Sequence, residues 1–285
     1  MTLAESVAAA ATRLEGAGIP ASEARRDASR LARLALGWDT AAWLTHTAQA
    51  ADHVFQATFD SFIDRRVARE PVAYLAGEQE FYGRGFIVTP AVLIPRPETE
   101  LIVDEVGRIL TALSRPVARI LDVGTGSGCI AITLALEYPT AQLAATDTSH
   151  RALEVARRNA KRLGASERVD FQHVSLTGSF DHALDIIVSN PPYVAEHERT
   201  GLAPEVRDHE PEAALFGGTD GLAVIRALLG AAPRALAPGG WLVIEIGAGQ
   251  VDSVMTLVGE AAELEWRHVL PDLAGHARTV VIQKA

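Results

Sequence analysis

Two hydrophobic patterns divide the chain. In residues 1 to about 75, apolar residues recur at intervals of three and four, as at Ala28, Leu31 and Leu34, which is the spacing of amphipathic helices. From Arg119 onward, short apolar runs alternate with helical patterns. That alternation is typical of a parallel sheet whose strands are joined by crossover helices. We therefore predict a helical domain over residues 1–75 and an α/β domain over residues 96–285.

Local signals place the N-terminal helices and the link to the second domain. Thr2 and Glu5 have the spacing of a capping box, so the first helix begins there. Gly37 ends a second helix, and a third extends from about Ala51 to Arg69. The pattern then changes to two short apolar runs, Phe81–Val88 and Ala91–Pro95. We interpret these runs as the strands of a β-hairpin that links the domains over residues 76–95.

The α/β domain is predicted to hold a Rossmann-like sheet of seven strands that is mostly parallel. Its predicted strands are Arg119–Val123, Gln142–Asp147, Val169–His173, Leu184–Ser189, Trp241–Ile246, Glu265–Val269 and Arg278–Gln283. Its predicted helices are Glu98–Leu113, Gly128–Glu137, Arg151–Leu163 and Leu222–Ala235. Because no helix separates the last two strands, we expect them to close the sheet as an antiparallel pair.

Composition narrows the classes of function. The 285 residues carry a formal net charge of −10, which disfavours a grip on duplex DNA through many phosphate contacts. One cysteine, Cys129, allows no intramolecular disulfide and fits a reducing compartment. No window reaches the ~18 uninterrupted apolar residues of a membrane span, and no basic leader precedes the first helix. We expect a cytoplasmic protein that contacts neither membrane nor nucleic acid.

A glycine-rich turn follows the first predicted strand of the sheet. It consists of Gly124, Thr125, Gly126, Ser127 and Gly128. Such a turn at the carboxyl end of a strand, ahead of a helix, accepts a nucleotide-like ligand. Asp147 ends the next strand, where its carboxylate can accept hydrogen bonds from ribose hydroxyls. The alternative is structural: the glycines form a tight turn, and Asp147 caps the following helix.

The sharper signal is the tetrapeptide Asn190-Pro191-Pro192-Tyr193, directly after an apolar strand. Two prolines fix a rigid exit from that strand. A planar amide or amino nitrogen is a poor nucleophile, so its N–H groups must be held while its lone pair is turned to an electrophile. The Asn190 side-chain oxygen and the Pro191 carbonyl can hold them, and the Tyr193 ring can stack on the substrate or lie near a sulfonium cation. The alternative is a stiff loop in which Tyr193 only packs.

These and other motifs resemble the HemK/PrmC family of peptide chain release factor N5-glutamine methyltransferases over essentially the whole chain. The motifs are Glu80–Gly83, Leu93–Glu100, Asp122–Gly128, Asn159, Ser189–Tyr193, Glu210-Pro211, Gly239-Gly240 and Asp272–Arg278. The resemblance implies a class I methyltransferase form of the Rossmann-like sheet. It also implies that the N-terminal helices recognise the substrate.

The resemblance further implies a donor, a substrate and roles for individual residues. The donor would be S-adenosylmethionine, held by the Gly124–Gly128 loop, Asp147 and Asn190. The substrate would be the glutamine of the Gly-Gly-Gln motif in release factors, held by Asn190, Pro191, Pro192 and Tyr193. Leu176 stands where the family often has an aromatic residue against adenine. We expect a monomer. We expect no metal, because His46, His173 and His197 lack the spacing of metal ligands.

Several assignments stay open at this point. By resemblance, Arg96 and Glu98 organise the donor pocket, but the prolines around them can equally stiffen a domain crossing. Glu245 can be a polar wall of the site, a helix cap or a solvated carboxylate. Cys129 is interpreted as a packing residue, and Arg278 as a pin between the terminal strands.

Two other functions compete with the family assignment. Adenine and cytosine N-methyltransferases face the same problem of a planar nitrogen, and they flip their base out of the helix. The acidic charge and the lack of a basic recognition segment argue against them. A non-catalytic nucleotide-binding adaptor is the second alternative, and it would have no need of the Asn190–Tyr193 tetrapeptide.

Overall fold

The computed structural model describes residues 1–113, 118–181 and 183–285. They form two compact units. The first unit comprises Met1–Glu78 together with Ala203–His209, and the second comprises Gln79–Leu202 and Glu210–Ala285. No pattern in the sequence associates the short segment Ala203–His209 with the N-terminal helices. The predicted domain boundaries at residues 75 and 95 stay predictions.

The described residues form α-helices and β-strands in the following order. The helices are α1 (Leu3–Gly16), α2 (Ala21–Leu36), α3 (Thr40–His46), α4 (His53–Val67), α5 (Val72–Ala76), α6 (Glu100–Ala112), α7 (Cys129–Glu137), α8 (His150–Leu163), α9 (Pro204–His209), α10 (Glu212–Leu215), α11 (Ala223–Ala235) and α12 (Val251–Glu260). The strands are β1 (Glu78–Phe81), β2 (Arg84–Ile87), β3 (Arg119–Val123), β4 (Gln142–Asp147), β5 (Val169–His173), β6 (Leu184–Ser189), β7 (Leu236–Glu245), β8 (Leu264–Pro271) and β9 (Ala277–Lys284). Short 3₁₀ helices cover Pro97–Thr99 and Glu196–Gly201.

The first unit is built from helices whose ends carry the predicted signals. The capping box is present: the Glu5 amide donates to Thr2 Oγ1 at 3.2 Å, and the Thr2 amide donates to Glu5 Oε2 at 2.8 Å. Gly37 ends α2 in the left-handed conformation that glycine adopts without strain. The core buries side chains such as Leu14 and Phe59. Each contributes about 1.5–3 kcal/mol by leaving water.

A buried arginine also holds the first unit together. Arg66 on α4 is 1% exposed. Its guanidinium donates to Asp27 at 2.7 Å and to Glu23 at 2.8 Å, both on α2. It also donates to Glu205 on α9 at 2.7 Å, and Arg69 reaches the same carboxylate at 2.8 Å. Because an unpaired buried charge is costly, these bonds fix α9 within the helical unit.

The second unit contains a seven-stranded sheet in the order β5-β4-β3-β6-β7-β9-β8. Strands β3 to β7 are parallel, and β9 pairs antiparallel with both β7 and β8. The predicted mostly parallel, Rossmann-like fold is therefore confirmed, including the antiparallel closing pair. The chain runs outward from β3 to β5 and then returns to pair β6 with β3. This reversal brings the loops after Val123 and Ser189 side by side, since these two residues are register partners.

Apolar side chains cover both faces of the sheet. On one face Ile120 packs in a cluster with residues of α6 and α7, such as Ile102 and Leu134. On the other face Leu121 packs in a cluster with residues of α11 and α12, such as Leu228. Neighbouring residues of β3 thus point to opposite faces, as a strand requires. None of the described helices has the length and apolar character needed to cross a membrane.

The predicted linker hairpin is wrong in its second strand. The two-stranded sheet pairs β1 with β2, so both strands lie within residues 78–87, and Ala91–Pro95 forms no strand. Tyr82 and Gly83 both take positive φ angles, of 52° and 72°, which reverse the chain directly after Phe81. Helices α3, α5, α9, α10 and α12 were also not predicted from the sequence.

Candidate active site

A cavity of about 430 Å³ opens at the carboxyl ends of β3, β4 and β6. Its wall comes from the loops that follow these strands and β5, from the segment between β2 and α6, and from α10 and α11. Of the residues predicted for the site, Gly124, Thr125, Gly126, Asp147, Leu176, Asn190 and Pro192 line it. Ser127, Gly128, Pro191 and Tyr193 are not among its lining residues. The reversal of strand order therefore brings the two sequence signals to one cavity.

The glycine loop adopts a shape that other residues would strain. Gly124, Gly126 and Gly128 have φ angles of 74°, 56° and 82°. A Cβ on Gly128 would lie 2.8 Å from Ile132 Cδ1 and 3.1 Å from Ala156 Cβ, so α7 and α8 leave room only for glycine there. The loop therefore passes close to α8 while its open side forms part of the cavity wall.

Asp147 supports the loop and faces the cavity. Its Oδ2 accepts from the Gly126 amide at 2.9 Å, and its Oδ1 accepts from the Ser149 amide at 2.8 Å. The capping residue of α8 is Ser149, whose hydroxyl accepts from the Ala152 amide. The alternative reading of Asp147 as the helix cap is therefore wrong. Each carboxylate oxygen of this half-buried side chain has lone-pair capacity left for a ligand hydroxyl.

A buried carboxyl and a buried amide hold the loop from behind. Asp122 Oδ2 accepts from the Thr125 hydroxyl at 2.6 Å and from the Ala131 amide at 3.2 Å. Burial raises the pKa of Asp122 to about 7. Asn159 on α8 donates to the Ser127 carbonyl at 2.8 Å and exchanges two hydrogen bonds with the Ile87 backbone. The loop is thereby tied to the sheet and to the end of β2.

Two backbone carbonyls of the tetrapeptide after β6 are in contact with Gln250 and with two glycines. Gln250 Nε2 donates to the Tyr193 carbonyl at 2.9 Å. A Cβ on Gly221 would lie 2.3 Å from that carbonyl oxygen, and one on Gly217 would lie 2.5 Å from the Pro192 carbonyl oxygen. These two glycines, which the sequence analysis did not identify, let the chain before α11 pass against the tetrapeptide.

A chain of side-chain hydrogen bonds continues from Asn190 into the protein. Asn190 Nδ2 donates to Thr99 Oγ1 at 3.0 Å, and Thr99 Oγ1 donates to Glu245 Oε2 at 2.7 Å. The Tyr193 hydroxyl donates to Glu245 Oε1 at 3.1 Å. Glu245 is 1% exposed, so it is not a solvated carboxylate. It is not the cap of the following helix, because Gln250 precedes α12 and both Glu245 oxygens accept from side-chain hydroxyls. No separate role for Thr99 was predicted from the sequence.

The buried setting shifts both titratable groups of this chain. Burial raises the pKa of Glu245, although the Thr99 and Tyr193 hydrogen bonds and the charge of Arg278 act in the opposite direction. Burial also raises the pKa of the Tyr193 phenol, and the neighbouring Glu245 carboxylate adds to that rise. Tyr193 therefore stays a neutral hydrogen-bond donor at neutral pH.

Of the remaining predicted residues, Leu176 lines the cavity, whereas Arg96 and Glu98 do not. Leu176 lines it with a left-handed backbone, at φ 51°, and its carbonyl accepts from the Thr146 hydroxyl at 2.7 Å. Arg96 forms an ion pair with the buried Glu210, whose other oxygen accepts from the Ile94 amide at 3.1 Å. This ion pair fixes the backbone of the segment that contains Ile94, and neither Arg96 nor Glu98 is among the residues that line the cavity.

Two further residues take structural positions. Cys129 is buried in the cavity wall, and burial raises its thiol pKa to about 12, so it remains a neutral packing group. Arg278 donates to Asp272 at 3.0 Å within the turn that joins β8 to β9. Within the described ranges, no cluster of three His, Cys, Asp or Glu side chains could hold a metal ion.

Comparison with known proteins identifies the class. Residues 102–206 match the family model of the methyltransferase small domain, and residues 5–77 match that of the PrmC N-terminal domain. A methyltransferase from Pyrococcus furiosus has a similar fold, with a TM-score of 0.50 and 18% sequence identity, over 78% of this chain and 98% of that one. The fold and the domain match thus define a methyltransferase.

Closer relatives identify the family. The release factor glutamine methyltransferase of Cereibacter sphaeroides is 45% identical over 98% of this chain and 98% of its own length. The enzyme of the same name from Koribacter versatilis is 42% identical over 100% of this chain and 99% of its own. The chain belongs to the release factor glutamine methyltransferase family, and the resemblance found in the sequence motifs is confirmed.

Proposed function

We propose that this protein transfers a methyl group from S-adenosylmethionine to the side-chain amide nitrogen of glutamine in the Gly-Gly-Gln motif of release factors. One observation carries the proposal. Asn190, which can hold an amide N–H, and the glycine loop with Asp147, which can hold a nucleoside, line the same cavity. Family membership supports the choice of a release factor as the substrate.

The cavity fits the proposed donor. Its volume of about 430 Å³ lies within the roughly 300–1,000 Å³ of small-molecule sites, and its wall is mainly apolar with a few polar groups. Gly124 and Gly126 have open space where a Cβ would stand, apart from a carbonyl 4.0 Å away, so a ligand can approach their backbone. Asp147 would accept from the ribose hydroxyls, and Leu176 would cover one face of the adenine. When bound, S-adenosylmethionine supplies an electrophilic methyl carbon on a sulfonium.

The tetrapeptide would hold the substrate amide. A primary amide nitrogen carries two N–H groups, and Asn190 Oδ1 and the Pro191 carbonyl each accept one of them. Holding both directs the nitrogen lone pair along a fixed line, which is the orientation that accelerates a displacement. The methylated nitrogen then releases one proton to water. Pro192 and Tyr193 would contact the glutamine side chain, with the Tyr193 ring held by its bond to Glu245.

A nucleic-acid base is the competing substrate, because the same acceptors could hold an exocyclic amino group. Family membership does not favour it. Incubation of the protein with labelled donor and either a release factor or an oligonucleotide decides between them. Mass spectrometry should find one added methyl on the Gly-Gly-Gln peptide and none on the oligonucleotide; the reverse pattern refutes the proposal.

We further propose that the enzyme is cytoplasmic and acts as a monomer. Size-exclusion chromatography at assay concentration tests the oligomeric state.

A further inference from the structure

The ionised form of Glu245 fixes the direction of the hydrogen bonds that connect Asn190, Thr99 and Glu245. An ionised carboxylate has only acceptors, so Thr99 must donate its single hydroxyl hydrogen to Glu245. Thr99 Oγ1 is then left as an acceptor, and the partner that donates to it must be the NH₂ group of Asn190. A carboxamide whose nitrogen is held in this way presents its oxygen on the opposite side.

The Asn190 oxygen is free for a ligand. Within the part of the chain that the structure describes, Asn190 Oδ1 accepts no hydrogen bond, while the residue itself lines the cavity. Thr99 is 2% exposed and Glu245 is 1% exposed, so water does not compete for the bonds that set the orientation. The second Glu245 oxygen is occupied by the Tyr193 hydroxyl at 3.1 Å, which fixes the carboxylate plane.

We infer that Thr99 and Glu245 are positioning residues that lock the Asn190 carboxamide with its oxygen toward the substrate. The inference rests on the proposed function, since the locked oxygen matters only if Asn190 must accept an N–H. Without the Thr99 hydroxyl, the carboxamide can turn by 180° about its last bond and present NH₂ to the substrate nitrogen. Two N–H groups facing one another cannot form a hydrogen bond, so that orientation is inactive.

The test compares three substitutions in the full-length protein. Thr99→Val removes the hydroxyl at nearly constant volume, and Thr99→Ser restores it without the methyl group. Thr133→Val is the matched control, because the Thr133 hydroxyl on α7 is also buried but has no hydrogen-bond partner among the described residues. For Thr99→Val we expect kcat for release factor methylation to fall about 100-fold, as for other small losses of orientation. The donor Kd and the KM for release factor should each stay within about threefold, because neither depends on Asn190 orientation alone.

The two other variants separate positioning from packing. Thr99→Ser should recover kcat to within about fivefold of the wild type, since its hydroxyl can form both bonds. Thr133→Val should leave kcat unchanged. Equal kcat in Thr99→Val and wild type would overturn the inference, as would an equal loss in Thr99→Val and Thr99→Ser. A matching loss of donor affinity in Thr99→Val would also overturn it.

A readout that needs no turnover keeps this test separate from that of the proposed function. The Asn190 side-chain NH₂ should show slowed hydrogen exchange by NMR in the wild type and in Thr99→Ser. This protection should be lost in Thr99→Val. Unchanged protection in Thr99→Val refutes the positioning role whatever the substrate is. A wild-type protein with protected Asn190 that fails to methylate release factor would instead contradict the proposed function.

Discussion

Asn190 is the residue whose side chain links the cavity to the buried hydrogen-bond chain. Asn190→Ala removes the proposed acceptor for the substrate N–H, and we expect kcat to fall by about 10²–10³, the cost of losing one oriented hydrogen-bonding group. Donor affinity should fall much less, because Asp147 and the glycine loop remain. Initial rates with release factor, together with calorimetry of donor binding, measure both effects. Turnover close to that of the wild type would refute the role.

Asp147 is expected to act on donor binding. Asp147→Ala removes a charged acceptor and also frees the Gly126 amide that it holds at 2.9 Å. A hydrogen bond to a charged group contributes about 1.5–3 kcal/mol, so the donor Kd should rise roughly 10- to 100-fold. Calorimetry with S-adenosylmethionine measures it, and Asp147→Asn, which keeps one acceptor oxygen, should lie between. An unchanged Kd would remove Asp147 from the site.

Protonation of Glu245 should lower kcat at acid pH. Burial raises its pKa above the ordinary 4.5, against the opposing effects of Thr99, Tyr193 and Arg278 and with a smaller rise from Glu98. Ionised Glu245 is the form that locks Asn190, so kcat should fall as pH drops through this raised pKa and be constant above it. A pH profile of kcat under saturating donor shows this fall above pH 4.5, and Glu245→Gln should lack it. The same fall in both proteins would contradict this assignment.

Elements buried on both sides were predicted well. Strands β3, β4 and β6 have the predicted bounds because their apolar residues pack in the clusters on both faces of the sheet. The edge strand β5 also has the predicted bounds, although its apolar residues pack on one face only. The glycine loop and the tetrapeptide were both identified from the sequence, and the structure brings them to one cavity because they follow neighbouring parallel strands. What the sequence did not predict depends on distant partners. Gly217 and Gly221 contact the tetrapeptide from about 25 residues away, and Thr99 reaches Glu245 across the fold.

The hairpin error and the failure to predict helix α12 have local causes. Both Tyr82 and Gly83 take a positive φ in the turn after Phe81, but bulky residues such as tyrosine rarely adopt it. Only Gly83 therefore marks this turn in the sequence. Helix α12 buries only Val254 and Val258, and Gln250, which precedes it, gives no side-chain cap. The Gln250 side chain instead binds Gly247 and Tyr193, so the usual start signal is absent.

Gly221 offers a test of how tightly the chain before α11 packs on the tetrapeptide. In Gly221→Ala the new Cβ would lie 2.3 Å from the Tyr193 carbonyl oxygen, so this loop must move. The matched control is Gly164→Ala, which has a similar φ of 77° against 75° but open space around the Cβ. Both variants carry a left-handed strain of about 1–2 kcal/mol.

The two glycine variants should therefore differ in stability and in turnover. We expect Gly221→Ala to be less stable than Gly164→Ala by at least about 1 kcal/mol, the lower end of overpacking costs, and to lose most of its turnover. Urea unfolding and initial rates measure these effects. Equal stability of the two variants, with full turnover in both, would show that the loop tolerates displacement.

At the scale of the whole molecule, the first unit depends on a buried ion cluster that spans distant parts of the sequence. Arg66→Met leaves Glu23, Asp27 and Glu205 without their shared cation. Breaking a buried pair typically costs about 3–5 kcal/mol, and we expect a loss of that size in unfolding of the first unit. Arg13→Met is the control: its pair with Asp64 is half-exposed and should contribute about 0–1 kcal/mol. Similar losses in both variants would contradict the distinction.

The same cluster makes stability depend on pH. Although burial acts in the other direction, the Arg66 and Arg69 hydrogen bonds lower the pKa of Glu205 below its ordinary 4.5. A lowered pKa means that the stabilisation is complete above 4.5 and is lost as pH falls through the folded value. Thermal melts should therefore show a steeper acid loss in the wild type than in Glu205→Gln, and parallel curves would contradict it.

The membership of Ala203–His209 in the first unit changes what counts as a domain in this enzyme. The backbone passes from one unit to the other at residues 78/79, 202/203 and 209/210. A chimera that exchanges only the first 78 residues with a relative would pair a foreign bundle with a native helix whose Glu205 is matched to Arg66 and Arg69. Domain exchanges, split-protein designs and proteolytic dissection must therefore keep the seven residues Ala203–His209 together with the N-terminal helices.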